Sequence, residues 1–472
     1  MNNNKIYITT PIYYANGSPH IGHFLTTTVA DVVARYYRQK LGPENVYFTT
    51  GLDEHGTTVE QAAVKDGYTS DNFQAYVDKR SVEWKEAFDA TNISYDYFVR
   101  TTAQQHKEFA QEFIKKMVNA GDVYKSTYKG KYCNGCEKFL TLSDLDEHGL
   151  CQLHRPDQVI ETVEDNYFFK LSKYASNIKD LIEKDEIKII PDNKKNDMLA
   201  RLESGVEDIS ISRPKEKVAW GVEFPDDSNQ TVYVWVEALI NYLSNLEVNK
   251  RQDLWEGAYH FLAKDINWFH NVIWPSFLLS AGYTLYKGSF VHGFLTVGGQ
   301  KISKSLGNII TPNDLVNRYG TDGARYVILS NFPYKNDSDV TWEALDEKYT
   351  ADLANGLGNT VARLAKLAEN SGFAFVAGQN IWQIDIVDFR IDLAVQEIWK
   401  KLADLDGHIN ENEPWAIKDE QKLKEVLSYE LNELRQVTYA ITPFMPETAK
   451  KIQDQFKGPK IKSQTGLFPR LS

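Results

Sequence analysis

Residues 6–40 read IYITTPIYYANGSPHIGHFLTTTVADVVARYYRQK, and three kinds of local sequence meet in this stretch. An apolar, aromatic run from Ile6 to Tyr14 predicts a strand. Residues 15–17, Ala-Asn-Gly, predict a turn, and the residues up to about Lys40 predict a helix. Because a helix start presents unpaired backbone N–H groups and the positive end of its dipole, this junction predicts a phosphate site.

Two imidazoles, His20 and His23, stand at this junction. They are three residues apart, so we expect them on one helical face at the end where phosphates would lie. Gly22 between them lets a flat base approach the backbone closely. Ser18 is expected to cap the helix and Pro19 to fill its first position. The alternative is that these residues merely open an ordinary amphipathic helix.

A second motif, KISKSLG at residues 301–307, follows a predicted strand from Phe290 to Val297 and a turn at Gly298-Gly299. Such a lysine loop is usually a solvated turn. Its two lysines and flanking hydroxyls also suit a mobile clamp that brings positive charge to a triphosphate during reaction. Together, the two motifs resemble the two signatures of class I aminoacyl-tRNA synthetases. The resemblance predicts that the following residues converge on ATP: His20, Gly22, His23, Lys301, Ser303 and Lys304.

The chain has 472 residues, which predicts two to four domains rather than a single core. Its net charge of -12 is opposite to that expected of a nucleic-acid binder, although local basic patches can still bind a polyanion. The lysines between Lys450 and Lys462 could form one such patch or simply a solvated surface. The first residues run into a strand without an apolar signal segment, and no apolar stretch is long enough to span a bilayer. These features predict a cytoplasmic protein without a membrane segment.

All three cysteines of the chain fall in one short segment, with Cys133 and Cys136 in one pair and Cys151 and His154 in the other. Each pair has two intervening residues, a spacing that aims two ligands at a single ion, and together they supply a tetrahedral set. The alternative is a group of buried thiols beside an unrelated histidine. A disulfide does not account for the histidine. Because four protein ligands close the coordination sphere, the sequence predicts one structural Zn²⁺ per chain that takes no part in the reaction.

Strand-like and helix-like runs alternate up to about Lys115, which predicts an α/β fold with a doubly wound parallel sheet. Its ligand crevice is expected at the carboxyl ends of the strands, where Asp53 and His55 lie. The pattern stops at the cysteine segment and resumes at Thr231–Val236, at Tyr259–Ala263 with a helix from Asp265 to Ser280, and at Phe290–Val297. The predicted divisions are a first catalytic half at 1–115, a zinc-bearing insertion at 116–228, a second catalytic half at 229–299, a lysine-loop linker at 300–345, and an all-helical domain with a carboxyl-terminal strap at 346–472.

From Lys5 to its tail the chain resembles the methionyl-tRNA synthetases of the bacterial type with a single zinc knuckle. The resemblance depends on the two signatures, the zinc spacing and five further motifs, which are TPIYYANG at 10–17, DEHG at 53–56, DISISRP at 208–214, YVWVEALINY at 233–242 and DINWFHNVIW at 265–274. One departure is Ile302, where the lysine motif commonly has Met. The two side chains are apolar and similar in volume, so we expect little consequence.

The resemblance implies a methionine pocket at positions that match the family's motifs, namely Ile12, Tyr14, Asp53, Trp235, Ala238, Leu239, Tyr242, Ile266, His270 and Trp274. The chemistry is consistent, because a thioether is favourable against aromatic rings and a carboxylate can bind the substrate ammonium. The alternative for each aromatic is plain core packing.

The resemblance further implies that methionine is activated with ATP and Mg²⁺ and then transferred to the terminal adenosine of tRNA(Met), including the initiator tRNA. His20, His23, Lys301, Lys304 and Arg213 are the expected catalytic residues, and Asn359, Arg363 and Trp415 the expected anticodon-binding residues. Splayed RNA bases stack on aromatic rings and bond to Arg and Asn, although a Trp after Pro can equally plug a helical bundle. A monomer is expected, because longer family members carry an additional dimerising module.

Three other functions are compatible with parts of the sequence. A class I synthetase for another amino acid would share both signatures, but the enzymes for branched residues usually carry a larger editing insertion than residues 116–228. A non-catalytic RNA-binding protein on the same scaffold is expected to have lost His20, His23 or Lys304, which are all present. A small nucleotidyltransferase of related fold would lack the helical bundle.

Overall fold

The structure is a computed structural model that describes residues 5–135, 137–140, 144–151, 156–302, 307–376 and 381–471. The chain forms two compact units. The first comprises Met1–Ser18, Leu41–Glu86 and Tyr95–His292, and the second comprises Pro19–Lys40, Ala87–Ser94 and Gly293–Ser472.

The strands, in chain order, are β1 (Ile6–Tyr14), β2 (Val46–Asp53), β3 (Tyr97–Arg100), β4 (Val123–Cys133), β5 (Lys138–Phe139), β6 (Val159–Phe169), β7 (Lys188–Ile190), β8 (Ile209–Ser210), β9 (Ser212–Pro214), β10 (Glu223–Phe224), β11 (Asp227–Val232), β12 (Ala258–Ala263), β13 (Gly288–His292), β14 (Leu295–Val297), β15 (Gln300–Lys301) and β16 (Ser338–Val340). The α-helices are α1 (Ile21–Leu41), α2 (Thr57–Lys65), α3 (Phe73–Ala90), α4 (Gln104–Asn119), α5 (Leu171–Glu183), α6 (Asp192–Glu203), α7 (Val234–Val248), α8 (Trp274–Ser280), α9 (Pro312–Leu329), α10 (Trp342–Lys348), α11 (Gly358–Ser371), α12 (Ile391–Asn412), α13 (Glu420–Ile441) and α14 (Pro446–Phe456).

A parallel sheet organises the first unit, with strands in the order β3-β2-β1-β12-β13-β7. The chain runs outward from β1 to β2 and β3 on one side, and later adds β12 and β13 on the other. The strand order therefore reverses between β1 and β12. In open parallel sheets, the crevice at the carboxyl ends of such neighbouring strands is where ligands bind. Tyr14 and Asp53 occupy this end, because they are register partners at the last residues of β1 and β2.

The residues between α4 and α7 add antiparallel structure to the first unit. One sheet has the order β5-β4-β6-β8 and another the order β10-β11-β9. The long β4–β6 pair carries Cys133 at its end, opposite Val159. One strand from the same stretch of sequence, β7, pairs with β13 at the edge of the parallel sheet.

The second unit contains α1, the helices from α9 to α14 and a small sheet in the order β15-β14-β16. A buried ion pair fixes α1 within this unit, since the Arg325 guanidinium lies 2.6 Å from the Asp31 carboxylate and both side chains are fully buried. Burial by itself would raise the pKa of Asp31, but Arg325 and Arg35 outweigh burial and lower it. The helix that begins beside the two histidines is therefore anchored to α9 by a charge pair.

The predicted parallel α/β sheet and helical carboxyl-terminal region are confirmed, but three predicted elements were wrong in detail. The run 231–236 is not one strand, because β11 ends at Val232 and α7 begins at Val234. A short apolar run does not distinguish a strand from a buried helix. Residues 290–297 form two strands, which separate at Gly293, where a Cβ atom would lie 2.2 Å from the Asn336 carbonyl oxygen.

The helix predicted at 265–280 is also interrupted. It consists of a 3₁₀ turn at Lys264–Ile266, a π turn at Phe269–Ile273 and then α8. Pro275 lacks the N–H that a continuous α-helix would use there, so the preceding turn widens. Across the described residues, no helix has both the length and the apolar character needed to cross a membrane.

Candidate functional site

The two signature histidines meet at the start of α1. Their rings stack with centroids 3.7 Å apart and an interplanar angle of 23°. The helix begins at Ile21, so the expected cap at Ser18 and first position at Pro19 are wrong. The cap is His20, because its carbonyl accepts from Phe24 N and its Nδ1 accepts from Gly22 N at 3.1 Å.

Hydrogen bonds to the backbone fix the tautomer of both rings. His20 Nδ1 accepts from Gly22 N, and His23 Nδ1 accepts from His20 N at 3.3 Å. Since a backbone N–H can only donate, a neutral ring in this arrangement carries its proton on Nε2. Burial, and then the neighbouring His20, lower the pKa of His23 well below its ordinary value. The pair therefore offers neutral N–H donors rather than positive charges.

Gly22 has a specific steric role in this arrangement. A Cβ atom at this position would lie 3.0 Å from Cε1 and 3.2 Å from Nδ1 of His20. Any larger residue would therefore press on the imidazole that caps the helix.

The lysine motif lies close to the histidine motif within the second unit. Ile21 N donates to the Ile310 carbonyl at 2.8 Å, and a Cβ atom on Gly22 would lie 4.0 Å from Cδ1 of Ile302. Lys301 ends β15, opposite Thr296 of β14. Ser303 and Lys304 lie outside the described residues.

A glycine turn leads from β14 into the lysine motif. Gly298 and Gly299 both have positive φ angles, 60° and 72°, which suit a tight hairpin turn. Asp339 accepts from Gly299 N at 2.7 Å and from Thr296 Oγ1 at 2.6 Å. These bonds, led by that from Thr296, lower the pKa of Asp339. A charged carboxylate thus fixes the hairpin that precedes the two lysines.

The predicted methionine pocket lies in the first unit, at the carboxyl ends of β1 and β2. The Tyr14 ring meets the edge of Trp235, with centroids 6.3 Å apart and planes at 81°. Trp235 lies in the first turn of α7 and stacks at 4.1 Å on Phe269. These rings form an aromatic wall near Asp53, the register partner of Tyr14.

Asp53 is a buried carboxylate with an unused oxygen. Its Oδ1 is buried and makes no hydrogen bond within the described part of the chain. Burial raises the pKa of Asp53 well above its ordinary value, and the carboxylates of Glu237 and Glu137 raise it further. A cation brought next to Asp53 would relieve this unfavourable environment. The site is therefore suited to an ammonium group.

Tyr242 and His270 form a second polar centre in the pocket. His270 Nδ1 lies 3.0 Å from the Ile266 carbonyl, which can only accept, so Nδ1 carries the proton. His270 Nε2 then accepts from Tyr242 Oη at 2.7 Å. Burial lowers the pKa of His270 to about 4, so the ring is neutral near pH 7. This pair fixes the direction of the Tyr242 hydroxyl.

The remaining predicted pocket residues differ in their surroundings. Trp274 is fully buried, stacks near Phe113 at 5.7 Å and lies 6.3 Å from the Tyr242 ring. Leu239 belongs to the same apolar core, and Ile266 packs against that core. Ala238 is buried, whereas Ile12 is half-buried on β1 opposite Gly51.

Arg213, the other predicted catalytic residue, is held by a bidentate ion pair. Its Nε and Nη2 both lie 2.7 Å from the two carboxylate oxygens of Glu164. The guanidinium also lies 4.0 Å from the Tyr132 ring centroid. Its Nη1 is buried without a hydrogen-bond partner among the described residues. These contacts favour a positioning role for Arg213.

Two of the four predicted zinc ligands are described. Cys133 and Cys151 are buried in one small cluster with Leu140, and Cys151 bridges to Leu145 across an antiparallel pair. Cys136 and His154 lie outside the described residues, and within those residues no group of three potential ligands could hold a metal. Two buried thiols, one at the end of β4 and one at an isolated β-bridge, fit the chemistry of a zinc ligand set.

The predicted anticodon-binding residues lie in the second unit. Asn359 and Arg363 are one turn apart on α11, and Asn359 is exposed. The Arg363 guanidinium lies 4.7 Å from the centroid of Trp415. Trp415 is 54% exposed, which excludes the alternative that it plugs the bundle core.

Several residues near these sites were not predicted from the sequence. Glu237 is buried on α7 and bonds to His55 Nδ1 at 2.6 Å. Its position within the apolar first half of α7, residues 234–240, was the available signal. Glu137 is buried and accepts hydrogen bonds from Thr57 Oγ1 and Thr58 N. It is far from Asp53 in sequence, so no local pattern could predict that the two carboxylates lie close together.

Comparison with known proteins assigns the family. Residues 6–159 and 149–365 match the family model described as tRNA synthetases class I (M). The methionine–tRNA ligase of Thermotoga maritima is 38% identical over 477 residues, which cover 95% of this chain and 74% of that protein. The chain belongs to the methionine–tRNA ligase family. The family member from Clostridium tetani is 36% identical over 517 residues, or 100% of this chain and 79% of that protein.

Solved structures confirm the class I synthetase fold. Mycobacterium tuberculosis methionyl-tRNA synthetase in complex with methionyl-adenylate is 31% identical and matches with a TM-score of 0.89, over 99% of this chain and all of that one. The apo form of the same protein is 28% identical and matches with a TM-score of 0.80, over 99% of this chain and 98% of that one.

Proposed function

We propose that this chain is a methionine–tRNA ligase, which joins L-methionine to ATP as methionyl adenylate, releases pyrophosphate and then transfers methionine to tRNA(Met). The observation that carries the proposal is the stacked His20–His23 pair, whose backbone bonds aim both imidazoles as Nε2–H donors beside the lysine motif. A pair of neutral donors at a helix start suits a nucleotide phosphate.

In the first step a carboxylate oxygen of methionine attacks the α-phosphorus of ATP, a new P–O bond forms, and the bond to pyrophosphate breaks. The protein contributes mainly position and electrostatic stabilisation. His20 and His23 donate to oxygens whose negative charge grows in the transition state, with Gly22 leaving room for the base. Lys301, Ser303 and Lys304 bind the departing pyrophosphate. When bound with ATP, Mg²⁺ would supply further positive charge to neutralise the phosphates.

Methionine is recognised by charge at one end and by polarizable contacts at the other. Asp53 Oδ1 binds the ammonium group, which restores the charged form of a carboxyl whose pKa burial has raised. Tyr14, Trp235 and Trp274 provide the aromatic surface that a thioether favours. The Tyr242 hydroxyl donates its proton to His270, so its oxygen lone pairs remain for the substrate. Ile12, Ala238, Leu239 and Ile266 complete the apolar wall.

In the second step a ribose hydroxyl of the terminal adenosine attacks the acyl carbon, and AMP leaves. Asn359, Arg363 and Trp415 bind the anticodon of tRNA(Met), in both its initiator and elongator forms. We also propose that this translation enzyme is cytoplasmic and monomeric. Cys133, Cys136, Cys151 and His154 would hold a Zn²⁺ ion that stabilises the insertion. Arg213 acts as a positioning residue through its ion pair with Glu164.

Pyrophosphate exchange with each standard amino acid tests this function. We expect rapid ATP–pyrophosphate exchange with methionine alone. Faster exchange with leucine, isoleucine or cysteine would show a synthetase of different specificity, and no exchange with any amino acid would indicate a non-catalytic protein. Metal analysis of the same preparation should return about one zinc per chain, as expected for a closed four-ligand site.

A further inference from the structure

The helical bundle that carries Trp415 exposes a second aromatic ring, Tyr429 of α13. Arg363 covers Trp415 and also lies 3.4 Å from the Asp406 carboxylate on α12. Two residues further along α12, His408 makes a tilted ring contact with Tyr429 of α13 at 4.5 Å. Tyr429 is 51% exposed, nearly as much as Trp415. Two exposed aromatic rings are therefore connected by polar side chains on α11, α12 and α13.

A buried carboxylate joins the two ends of this network. Glu430 is fully buried, and its Oε1 lies 3.1 Å from His408 Nδ1. Its Oε2 is buried without a hydrogen-bond partner in the described residues. Burial raises the pKa of Glu430, whereas His408 and Arg363 act in the opposite direction. Glu430 thus contacts the His408 side chain that supports Tyr429, and its charge interacts with that of Arg363, which covers Trp415.

This arrangement lowers the stability of the bundle, so we expect it to have a functional role. A buried carboxylate with one oxygen unsatisfied is unfavourable, and an apolar residue at position 430 would pack the bundle without that cost. Two aromatic rings left half in water gain little for folding. Their flanking contacts are to polar side chains, and protein partners instead favour contiguous apolar patches. Rings flanked by Arg and His resemble platforms for single-stranded nucleic acid.

We infer that Tyr429 is a second stacking platform for an unpaired base of the tRNA anticodon loop, and that His408 and Glu430 are the residues that position it. The inference rests on the proposed function, because it adds a place for a further base to the proposed anticodon-binding residues Asn359, Arg363 and Trp415. Glu430 holds His408, and His408 supports the inner face of the Tyr429 ring, which leaves the outer face for the base.

The test compares aminoacylation of tRNA(Met) with pyrophosphate exchange, which needs no tRNA. Tyr429→Ala should raise the KM for tRNA roughly five- to a hundredfold, the range expected for one base stack. Its kcat, its exchange rate and its melting temperature should not change. Tyr429→Phe should restore the wild-type KM because it retains the ring. His408→Ala should raise the KM by a smaller factor. Leu393→Ala, at a side chain 47% exposed on the same bundle, is the matched control and should have no effect.

Loop variants identify the contact. In tRNA(Met) transcripts with one abasic nucleotide in the anticodon loop, one position should abolish the difference between wild type and Tyr429→Ala. If no position does so, or if Tyr429→Ala leaves the KM for tRNA within twofold of wild type, the inference is wrong. It is also wrong if exchange and melting temperature fall together with tRNA charging, since the role would then be structural. Trp415→Ala separates the two proposals. A raised KM with Trp415→Ala but not with Tyr429→Ala would overturn only the second platform, whereas no effect of Trp415→Ala would contradict anticodon binding itself.

Discussion

The histidine motif and the methionine pocket show two ways of building a binding site. The motif is local, because His20, Gly22 and His23 fix one another through bonds within four residues at the start of one helix. The pocket is assembled from β1, β2, α7 and the interrupted helix before α8, which are up to about 260 residues apart in sequence. A local site can be read directly from its residues, whereas a dispersed one depends on the whole sheet.

The two sites also differ in electrostatics. The histidine pair is neutral, with donors that can bind a phosphate without a large desolvation cost. The pocket contains Asp53 among other carboxylates and so is electrostatically unfavourable until a cation arrives. We therefore expect substitutions in the histidine pair to lower activity with little change in stability. Neutralising Asp53 should lower activity while stability stays constant or rises.

The largest effect is expected at His23. His23→Ala should lower kcat/KM for methionine-dependent pyrophosphate exchange by about a hundred- to a thousandfold, because it removes one donor to the developing charge. The melting temperature should stay nearly constant, since His23 lies in the first turn of α1 and its Nδ1 bonds to the neighbouring His20 N. His23→Gln, which keeps an N–H donor near the Nε2 position, should recover part of the activity. A large loss of stability with intact exchange would instead indicate a structural role.

Asp53→Asn should have the next largest effect, on methionine. We expect the KM for methionine to rise on the order of a hundredfold, because the ammonium loses its charged partner. The KM for ATP should stay the same. Since the substitution removes a buried charge that faces Glu237 and Glu137, the melting temperature should rise or stay constant. A lower melting temperature with unchanged methionine KM would contradict the assignment of the pocket.

Gly22→Ala should produce a smaller loss. The new Cβ would lie 3.0 Å from the His20 ring, so the imidazole must shift by a few tenths of an ångström. We expect exchange activity to fall roughly two- to tenfold, the cost of a displaced rotamer. Stability should not fall, because Ala favours the helix more than Gly. Unchanged activity would show that the precise position of His20 does not matter.

The smallest effect concerns pH. The pKa of His270 is about 4 in the folded chain, below its ordinary value of 6.5, because the ring is buried. Between these values the unfolded chain binds a proton that the folded chain excludes, so stability is full above pH 6.5 and falls as the pH drops towards 4. His270→Gln should reduce this loss by a few degrees in melting temperature. If the melting temperatures of wild type and His270→Gln fell in parallel from pH 6.5 towards 4, this account of the loss would be contradicted.

The contrast between the sites also explains what could be predicted from sequence. Strand alternation and helical periodicity predicted the parallel sheet and the helical region, since both patterns are local. The pairing of His20 with His23 followed from their spacing. That His20 itself caps α1 could not be predicted, because Ser18 and Pro19 are the more usual residues for those positions. The order of the sheet and the approach of Glu137 and Glu237 to Asp53 depend on long-range packing, and only the family resemblance indicated the pocket residues.

Calorimetric binding of each substrate alone tests most directly the claim that the motif serves the nucleotide and the pocket serves the amino acid. Wild type, His23→Ala and Asp53→Asn would each be titrated with methionine and, separately, with ATP and Mg²⁺. We expect His23→Ala to bind methionine like wild type, and Asp53→Asn to lose methionine affinity while it retains that for ATP. If His23→Ala abolished methionine binding, or Asp53→Asn bound methionine as tightly as wild type, the division of labour described above would be contradicted.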